Sequence, residues 1–500
     1  MNTLTTYKIP DCITSFIDGQ WTPPSSVTLP VINPATEQQI ALVSEASAQE
    51  TADAVASAHS AFERGVWTRT SADTKRAVFN RIIELTRDNL DELAWLEVQN
   101  SGLPLRYVRS RQLPRILRNF SFFADWLSQN VEKASMQDDD YLRFVVREPA
   151  GVAALISPWN APLALASTKI AAALAFGNSC VVKTAEQTPL AVARFMEILI
   201  EAGVPAGVVN LVNGRGHITG DALVRDPRVR VVSFTGGTNT GRLIAAAAVP
   251  QLKRVDLELG GKSANIITAS AVLDDAVDGA LTSIYTNNGQ QCFAGSRILV
   301  QRQIADRFIE QFVARASQIR VGDPLDPLTE MGPLANAAHY QRALSFVEIA
   351  QSGGAKLLTG GKRPPLLDQG YYLEPTAVLV DSNQCRVCQE EIFGPFATIQ
   401  VFDEFDEAIA LANESNFGLV SYLWSSDLQQ CMQASRQVKA GMVLVNTPMN
   451  MDMRFPFGGY KDSGLGREGI DGFRHFYTEE KTVTIALQRP AMERLGADKP

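Results

Sequence analysis

The sequence predicts an α/β protein with more than one domain, and two observations lead to that prediction. The chain has 500 residues, which is more than one simple hydrophobic core usually serves. From residue 151 onward, short runs rich in β-branched residues alternate with Ala-rich or amphipathic segments. Such alternation is typical of β-α-β units, in which helices cover a largely parallel sheet.

The predicted elements follow one another in a clear order. Residues 46–128 are predicted to be helical, because segments such as 71–89 space their apolar residues about 3.6 positions apart. The strands predicted for a first sheet are 152–156, 180–182, 208–212, 229–234 and 254–257. The strands predicted for a second series, after Gly260, include 264–267, 297–300, 397–401 and 442–445.

Two further segments are predicted to be isolated strands outside both series. Residues 141–147 follow the turn Asp138-Asp139-Asp140, and residues 481–486 lie near the C-terminus. An exposed edge strand of this kind is a surface on which another chain can pair.

Composition restricts the partners and the compartment. The net charge of −8 argues against nucleic acid or an anionic membrane as a partner. No basic stretch leads into an apolar run near the start, and the apolar stretch 161–176 is interrupted by polar residues, so neither a signal peptide nor a membrane span is expected. Six cysteines suggest a reducing compartment, and we expect the cytoplasm.

Cys385 and Cys388 form a C-x-x-C, the spacing of a redox pair or of half a zinc site. A zinc ribbon needs a second such pair or two histidines, and neither follows. The four histidines are far apart in sequence, so we expect neither a metal site nor a redox function here.

Cys292, in Gly289-Gln290-Gln291-Cys292-Phe293-Ala294-Gly295, is the candidate nucleophile. A thiolate attacks carbonyl carbon well, and the covalent adduct divides a difficult oxidation into two easier steps. The alternative for any single cysteine is a buried core position.

Four other segments accompany Cys292: Pro158-Trp159-Asn160, Phe234-Thr235-Gly236-Gly237, Glu258-Leu259-Gly260-Gly261-Lys262 and Glu391-Ile392-Phe393-Gly394-Pro395. Together the five segments, in this order, resemble the NAD(P)-dependent aldehyde dehydrogenase superfamily, and the likeness extends from about Phe16 to Thr482. The resemblance implies a Rossmann-type cofactor domain (1–127 and 150–257), an α/β catalytic domain (258–477) and a small β flap (128–149 and 478–492). It also implies that the flap joins subunits into a homodimer or homotetramer.

The same resemblance implies catalytic roles. Cys292 would be the nucleophile, Asn160 the oxyanion donor with the Cys292 backbone N–H, Glu258 the general base, and Lys169 a further catalytic residue. Without the resemblance, Asn160 would be an Asx turn residue and Glu258 a surface glutamate. Relatives that transfer the acyl group to coenzyme A usually lack this glutamate, so free acid is the expected product.

A usual G-x-G-x-x-G does not open the first β-α unit, so the expected NAD site rests on the resemblance. The residues implied are Pro158, Trp159, Lys183, Glu186, Phe234, Thr235, Gly236, Gly237, Leu259, Glu391 and Phe393. Glu186 would accept from the ribose hydroxyls and repel a 2′-phosphate, which favours NAD over NADP. Arg215 could partly offset that repulsion.

Substrate residues are predicted from a narrower likeness. Leu113-Pro114-Arg115 and Asp452-Met453-Arg454 resemble the subgroup that acts on muconic-type semialdehydes, in which two arginines bind the distal carboxylate. Phe457 is expected beside them. Met451 replaces a further arginine, and with Met449 and Met453 it would suit an apolar or aromatic aldehyde instead. An inactive relative kept for binding or structure is the alternative from another class.

Overall fold

The computed structural model describes residues 6–131, 134–135, 139–490, 492–493 and 495–496. Asp138 of the predicted turn lies outside the described residues, as do parts of the expected flap segments 128–149 and 478–492.

The helices begin where the sequence offers polar caps and apolar periodicity. Ser47 and Ser71 accept the first free N–H groups of α1 and α2. The α-helices are α1 Ala48–Arg64, α2 Ala72–Asp88, α3 Leu90–Ser101, α4 Leu105–Tyr107, α5 Leu113–Gln129, α6 Pro162–Ala175, α7 Leu190–Glu201, α8 Asp221–Arg225, α9 Thr238–Ala248, α10 Leu273–Tyr285, α11 Arg302–Ala316, α12 Ala337–Ser352, α13 Arg386–Gln389, α14 Phe405–Asn413, α15 Leu428–Gln437 and α16 Ile470–Tyr477. The helical prediction for 46–128 is confirmed. Within the described part of the chain, no helix is both long and apolar enough to cross a membrane.

The strands, in chain order, are β1 Cys12–Ile13, β2 Phe16–Ile17, β3 Gln20–Trp21, β4 Thr28–Ile32, β5 Gln39–Ser44, β6 Ala134–Ser135, β7 Tyr141–Pro149, β8 Val152–Ile156, β9 Ser179–Lys183, β10 Val209–Val212, β11 Val229–Thr235, β12 Arg254–Glu258, β13 Ala264–Ile267, β14 Arg297–Gln301, β15 Lys356–Thr359, β16 Thr376–Leu379, β17 Phe396–Phe402, β18 Phe417–Gly418, β19 Val420–Trp424, β20 Met442–Val445, β21 Tyr460–Lys461, β22 Gly464–Leu465 and β23 Thr478–Ala486. Every predicted strand is present, with ends shifted by three residues or fewer.

The first large sheet has the order β22-β12-β11-β8-β9-β10-β2-β3, and its five central strands are parallel. β8 lies between β9 and β11. The strands that follow β8 along the chain are therefore added first on one side of it, as β9 and β10, and then on the other, as β11 and β12. Ligands of open α/β sheets bind at such a switch point, beyond the carboxyl ends of the strands. The segments after β8 and β11, which begin at Ser157 and Gly236, lie at that edge.

The second large sheet has the order β15-β16-β17-β14-β13-β19-β20 and is parallel except at β15. β20 is its terminal strand and is only half-buried. The two sheets confirm the predicted α/β class.

The structure corrects the prediction of two isolated strands. β7 and β23 pair with each other in antiparallel register, from Thr478 opposite Pro149 to Ala486 opposite Tyr141. β6 pairs with the other edge of β7. The ladder pairs the backbone groups of β7 and β23 that face each other, and the outer side of β23 remains the edge of this small sheet.

Candidate active site

Loops at the carboxyl ends of the first sheet and loops of the second sheet line one cavity of about 910 Å³. The predicted residues that line it are Arg115, Pro158, Trp159, Asn160, Thr235, Gly236, Gly237, Glu258, Leu259, Cys292, Glu391, Phe393 and Phe457. The predicted residues that do not line it are Lys169, Lys183, Glu186, Phe234 and Arg454.

Cys292 is held by a loop with an uncommon backbone. Asn287, Asn288 and Gly289 all have positive φ, of 56°, 56° and 72°. Asparagine and glycine are the residues that adopt this left-handed conformation most readily. The Asn288 side chain binds the loop to the rest of the protein, because its Nδ2 donates to Pro333 O (2.9 Å) and its Oδ1 accepts from Gly332 N (2.7 Å).

Asn160 is fixed by the same loop. Its Nδ2 donates to the backbone oxygen of Gln290 (2.8 Å), and its own backbone oxygen accepts from Asn287 Nδ2 (3.0 Å). Asn287 Nδ2 also reaches Gln290 O at 2.8 Å. Two amides therefore share the carbonyl of Gln290, two residues before Cys292, and Asn160 and Cys292 line the same cavity.

The environment of Cys292 favours the neutral thiol. Its pKa is raised to about 12, first because burial penalises the thiolate and then because Glu391 and Glu258 lie nearby. Arg115 and the cysteine's own backbone N–H lower the pKa. Cys292 therefore needs a base before it can attack a carbonyl carbon.

Glu258 ends β12 and is buried, and neither carboxylate oxygen has a hydrogen-bond partner among the described residues. Burial raises its pKa well above the ordinary value, and Asp256 and Glu468 raise it further. Lys169 and Arg467 lower it. The raised pKa makes the ionised carboxylate a stronger base than an ordinary glutamate, which suits the removal of a proton from water.

Lys169 lies beneath the cavity. Its Nζ is 3.2 Å from Glu468 Oε1 and donates to Ser233 Oγ at 2.8 Å. Glu468 itself lines the cavity. Lys169 can therefore act on reacting atoms only through other groups.

The groove beside α9 fits the pyrophosphate of a dinucleotide. α9 begins after Gly237, which has no side chain that could cap the first N–H groups of the helix. A Cβ at Gly237 would meet nothing within 4 Å, so the space there is open. Thr235 Oγ1 is buried with no partner in the described part of the protein. Free N–H groups at a helix start suit an anion. Phe234 lies under Gly236 and supports this turn.

Glu391 and Phe393 form the opposite wall. Glu391 Oε1 accepts from the backbone N–H of Gly261 at 2.8 Å. Phe393 has a φ of 64°, strained for a bulky residue, and its ring contacts Trp159 edge-on with centroids 5.3 Å apart. Such strain often marks a functional position.

Lys183 is the last residue of β9 and Glu186 follows that strand; neither lines the cavity, and the two pair with each other at 3.4 Å. Arg215, which could offset the charge of Glu186, is paired with Glu45. Its guanidinium binds both oxygens of Glu45, at 2.9 Å and 2.6 Å, and lowers the pKa of Glu45 to about 2. The charge of Glu186 also acts on Arg215, so the arginine stays within electrostatic reach of Glu186.

Arg115 is placed by an irregular helix. Val108–Gln112 forms a π-turn before α5, and Pro114 near the start of α5 lacks the N–H for a regular α-turn. Arg115 is half-buried in the cavity wall. Within the described part of the chain Arg115 has no carboxylate ion-pair partner. Burial lowers the pKa of its guanidinium, and the charges of Glu468 and Cys292 partly oppose that effect. Further cavity-lining arginines on this segment are Arg106, Arg111 and Arg118.

The structure corrects the prediction for Arg454. Its side chain is 74% exposed, and its Nη2 lies 2.5 Å from Asp452 Oδ2. Asp452 is two residues away and captures the guanidinium locally. Arg454 and Arg115 therefore do not face each other across the cavity. Phe457, as predicted, lines it, together with Met449 and Met451.

Sequence reasoning missed several residues of the site. His339 lines the cavity, its Nε2 lies 2.7 Å from the backbone oxygen of Phe393, and burial lowers its pKa to about 4. Asn287 and Glu468 were missed as well. The Asn287-Asn288-Gly289 run carries a turn signal that could have drawn attention to the loop, whereas His339 lies in an ordinary helix.

Comparisons with known proteins agree on one family. The protein-family model described as "Aldehyde dehydrogenase family" matches residues 21–483. The chain is 41% identical to 5-carboxymethyl-2-hydroxymuconate semialdehyde dehydrogenase of Escherichia coli, over 87% of this chain and 93% of that protein. The crystal structure of HpcC from Thermus thermophilus superposes with a TM-score of 0.94 at 40% identity, covering 97% and 95% of the two chains. Betaine aldehyde dehydrogenase from Staphylococcus aureus, solved with NAD⁺, gives 0.94 at 36% identity, covering 97% of each chain.

Proposed function

The chain belongs to the aldehyde dehydrogenase family and is an NAD-dependent oxidoreductase of aldehydes, and we propose that its substrates carry a carboxylate remote from the aldehyde. The observation that carries this proposal is Arg115, a half-buried guanidinium in the cavity wall without a carboxylate partner in the described part of the chain. A buried cation favours an anionic ligand that restores its pairing. The name of the Escherichia coli relative, a semialdehyde dehydrogenase, agrees with such a substrate.

The proposed chemistry begins at Cys292. Glu258, or water beside it, takes the thiol proton and passes it to solvent, and sulfur attacks the aldehyde carbon to give the anion of a thiohemiacetal. The Asn160 amide and the Cys292 backbone N–H donate to the resulting oxyanion, which in comparable sites lowers the barrier by a few kcal/mol. NAD, when bound, supplies the hydride acceptor. A thioester on Cys292 remains, and Glu258 takes a proton from the water that hydrolyses it.

The proposed cofactor site follows the cavity wall. The free N–H groups at the start of α9 would hold the pyrophosphate, with Gly236 and Gly237 leaving room for it. Glu391 and Phe393 would hold the nicotinamide end. Lys183 and Glu186 would hold the adenine ribose, and the negative charge of Glu186 would disfavour NADP. The remaining members of the site would be Pro158, Trp159, Phe234, Thr235 and Leu259, and Lys169 would support Glu468.

A second candidate is an apolar or aromatic aldehyde. Met449, Met451 and Phe457 line the same cavity and offer it a deformable apolar wall. The position of Arg454 outside the cavity favours this candidate, because only one of the two arginines predicted to bind a carboxylate lines the cavity.

Assembly and location complete the proposal. The free edge of β23 and the half-buried terminal strand β20 would pair between copies, giving a homodimer or homotetramer. We also retain the division into cofactor domain (1–127 and 150–257), catalytic domain (258–477) and flap (128–149 and 478–492). All six cysteines are free, which favours a cytoplasmic location.

The proposal is tested by NADH formation with length-matched aldehydes, for example 6-oxohexanoate against hexanal. A carboxylate clamp predicts a kcat/KM at least roughly tenfold higher for the charged member of the pair. Cys292→Ala is the control for any uncatalysed or contaminating reaction and should show no NADH formation. Equal kcat/KM values for the two aldehydes would favour the apolar candidate.

A further inference from the structure

We propose that Cys385 and Cys388 form a reversible disulfide by exchange with a low-molecular-weight disulfide, and that this bond weakens NAD binding by displacing Glu391. The second half rests on the proposed role of Glu391 at the nicotinamide end. The first half is independent of it.

The geometry brings the two sulfur atoms together. Cys385 is the N-cap of the short helix α13, and Cys388 is its third residue, with its N–H donating to Cys385 O at 2.9 Å. Side chains at these two helix positions face each other, as in a capping box. The Cys388 thiol is close enough to act on the pKa of Cys385. Cys385 is half-buried and reachable, whereas Cys388 is buried.

The surroundings favour a thiolate on Cys385. The Cys388 thiol lowers the pKa of Cys385 to about 6 against the effect of burial, with smaller contributions from nearby backbone N–H groups and from Lys262. Lys262 is buried, and its Nζ has no hydrogen-bond partner among the described residues. A buried cation without a partner beside a C-x-x-C pair is the setting in which cysteines become reactive.

Lys262 also lies between the cysteine pair and Glu391, the residue proposed to hold the nicotinamide end of NAD. Its charge acts on Cys388 and Cys385 on one side and on Glu391 on the other. Glu391 is three residues beyond Cys388 and accepts from the N–H of Gly261, the neighbour of Lys262. When the disulfide forms, the negative charge of the Cys385 thiolate beside Lys262 is lost. Glu391 is then the remaining negative partner of Lys262 in this cluster, and Lys262 would attract its carboxylate away from the cavity.

The exchange is balanced in atoms and electrons. The Cys385 thiolate attacks one sulfur of glutathione disulfide, a Cys385–glutathione bond forms, and glutathione thiolate leaves. Cys388 then gives up its proton and attacks the Cys385 sulfur, which releases a second glutathione thiolate. The two cysteines are oxidised by two electrons in total, glutathione disulfide is reduced, and solvent exchanges the protons.

The test uses the full chain with Cys292→Ala, so that the proposed nucleophile cannot react, and the matched Cys292→Ala/Cys385→Ser protein. Both are equilibrated in glutathione buffers of increasing oxidation. Alkylation after unfolding and peptide mapping then identify the linked cysteines, and titration calorimetry gives the Kd for NAD⁺. We expect a Cys385–Cys388 link, a Kd raised by roughly tenfold, and full reversal by dithiothreitol. The matched protein should show neither change.

The outcomes are separable. Both cysteines remaining alkylatable, or a glutathione adduct on Cys385 without ring closure, overturns the disulfide. A mapped disulfide with an unchanged Kd overturns its effect on the cofactor. Glu391→Gln in reduced protein tests the proposed function alone, because an unchanged Kd there removes Glu391 from the cofactor site while leaving the disulfide result intact.

Discussion

Arg115 and Cys292 face the same cavity, and the guanidinium charge lowers the pKa of the thiol while burial, Glu391 and Glu258 raise it. The same guanidinium has no carboxylate partner within the described residues. One side chain can therefore bind a substrate anion and assist formation of the thiolate. A substrate carboxylate bound to Arg115 would partly neutralise this assistance, so the two roles oppose each other.

Arg115→Ala should lower kcat/KM for a carboxylated aldehyde by on the order of ten- to a hundredfold, because charge-assisted hydrogen bonds of roughly 1.5–3 kcal/mol are lost. A neutral aldehyde of the same length should lose much less. Arg454→Ala is the matched control, since Arg454 pairs with Asp452 outside the cavity, and it should affect both aldehydes little. Steady-state kinetics on the two variants decides the matter.

Equal losses for both aldehydes in Arg115→Ala would remove the anion clamp and leave only the effect on the thiol. A large, selective loss in Arg454→Ala would mean that the loop closes inward when substrate binds. Iodoacetamide alkylation of Cys292 against pH separates the second role, because Arg115→Ala should move the alkylation profile to higher pH.

Glu258→Gln should separate the two half-reactions. An amide cannot take a proton from water, so the thioester should persist. We expect a burst of NADH of about one equivalent per active site and then slow turnover, provided another base accepts the thiol proton. Rapid-mixing absorbance records the burst, and intact-protein mass spectrometry detects the acyl group on Cys292. Normal steady-state turnover in this variant would rule out Glu258 as the base.

Asp256→Asn should shift the pH dependence of thioester hydrolysis. Asp256 and Glu258 lie two residues apart on β12, and the Asp256 carboxylate raises the pKa of Glu258, as Glu468 does, while Lys169 and Arg467 lower it. Removing one like charge lowers the pKa of Glu258, so the base is ionised at lower pH. The acid limb of the kcat profile should therefore move to lower pH. An unmoved limb, with the folded state verified by circular dichroism, would show that Asp256 does not face the base.

The strands were the most predictable part of the fold. The apolar runs that form β8 and β13 each start after a glycine or a polar residue and end at a turn. Their predicted bounds match the structure. The pairing of β7 with β23 was not predictable, because more than 300 residues separate them and no local signal records the partner. Local pattern identifies a strand, whereas the fold as a whole selects its neighbour.

The candidate site shows the same division. Cys292, Asn160 and Glu258 were identified by motifs and lie on one cavity. The π-turn that aims Arg115 and the capture of Arg454 by Asp452 were missed. The first is an irregularity of the backbone and the second a side-chain direction, and residue spacing alone gives neither. A guanidinium two residues from a carboxylate can turn toward it or away, and only the three-dimensional surroundings decide.

Whether copies of the chain pair through the free edge of β23 can be tested at single backbone N–H groups. Ala150 N donates to Tyr477 O, and Leu487 N donates to Asp140 O. In an antiparallel ladder, N–H groups alternate between the partner strand and the open side. The register then directs the N–H groups of Glu479, Lys481, Val483 and Ile485 toward β7. Those of Glu480, Thr482 and Thr484 face the open edge.

Thr482→Pro should therefore remove one outward donor and leave the ladder to β7 intact, since proline is tolerated at edge positions whose N–H is not used within the sheet. If copies of the chain pair through this edge, light scattering at micromolar concentration should show the variant dissociating toward the monomer, with its α/β circular dichroism retained. Thr482→Val is the control, because it keeps the N–H and the β-branched shape, and it should remain assembled. Val483→Pro should instead break the internal ladder and lower the melting temperature. A Thr482→Pro protein that stays a dimer or tetramer, or a monomeric parent, would show that assembly does not depend on this edge.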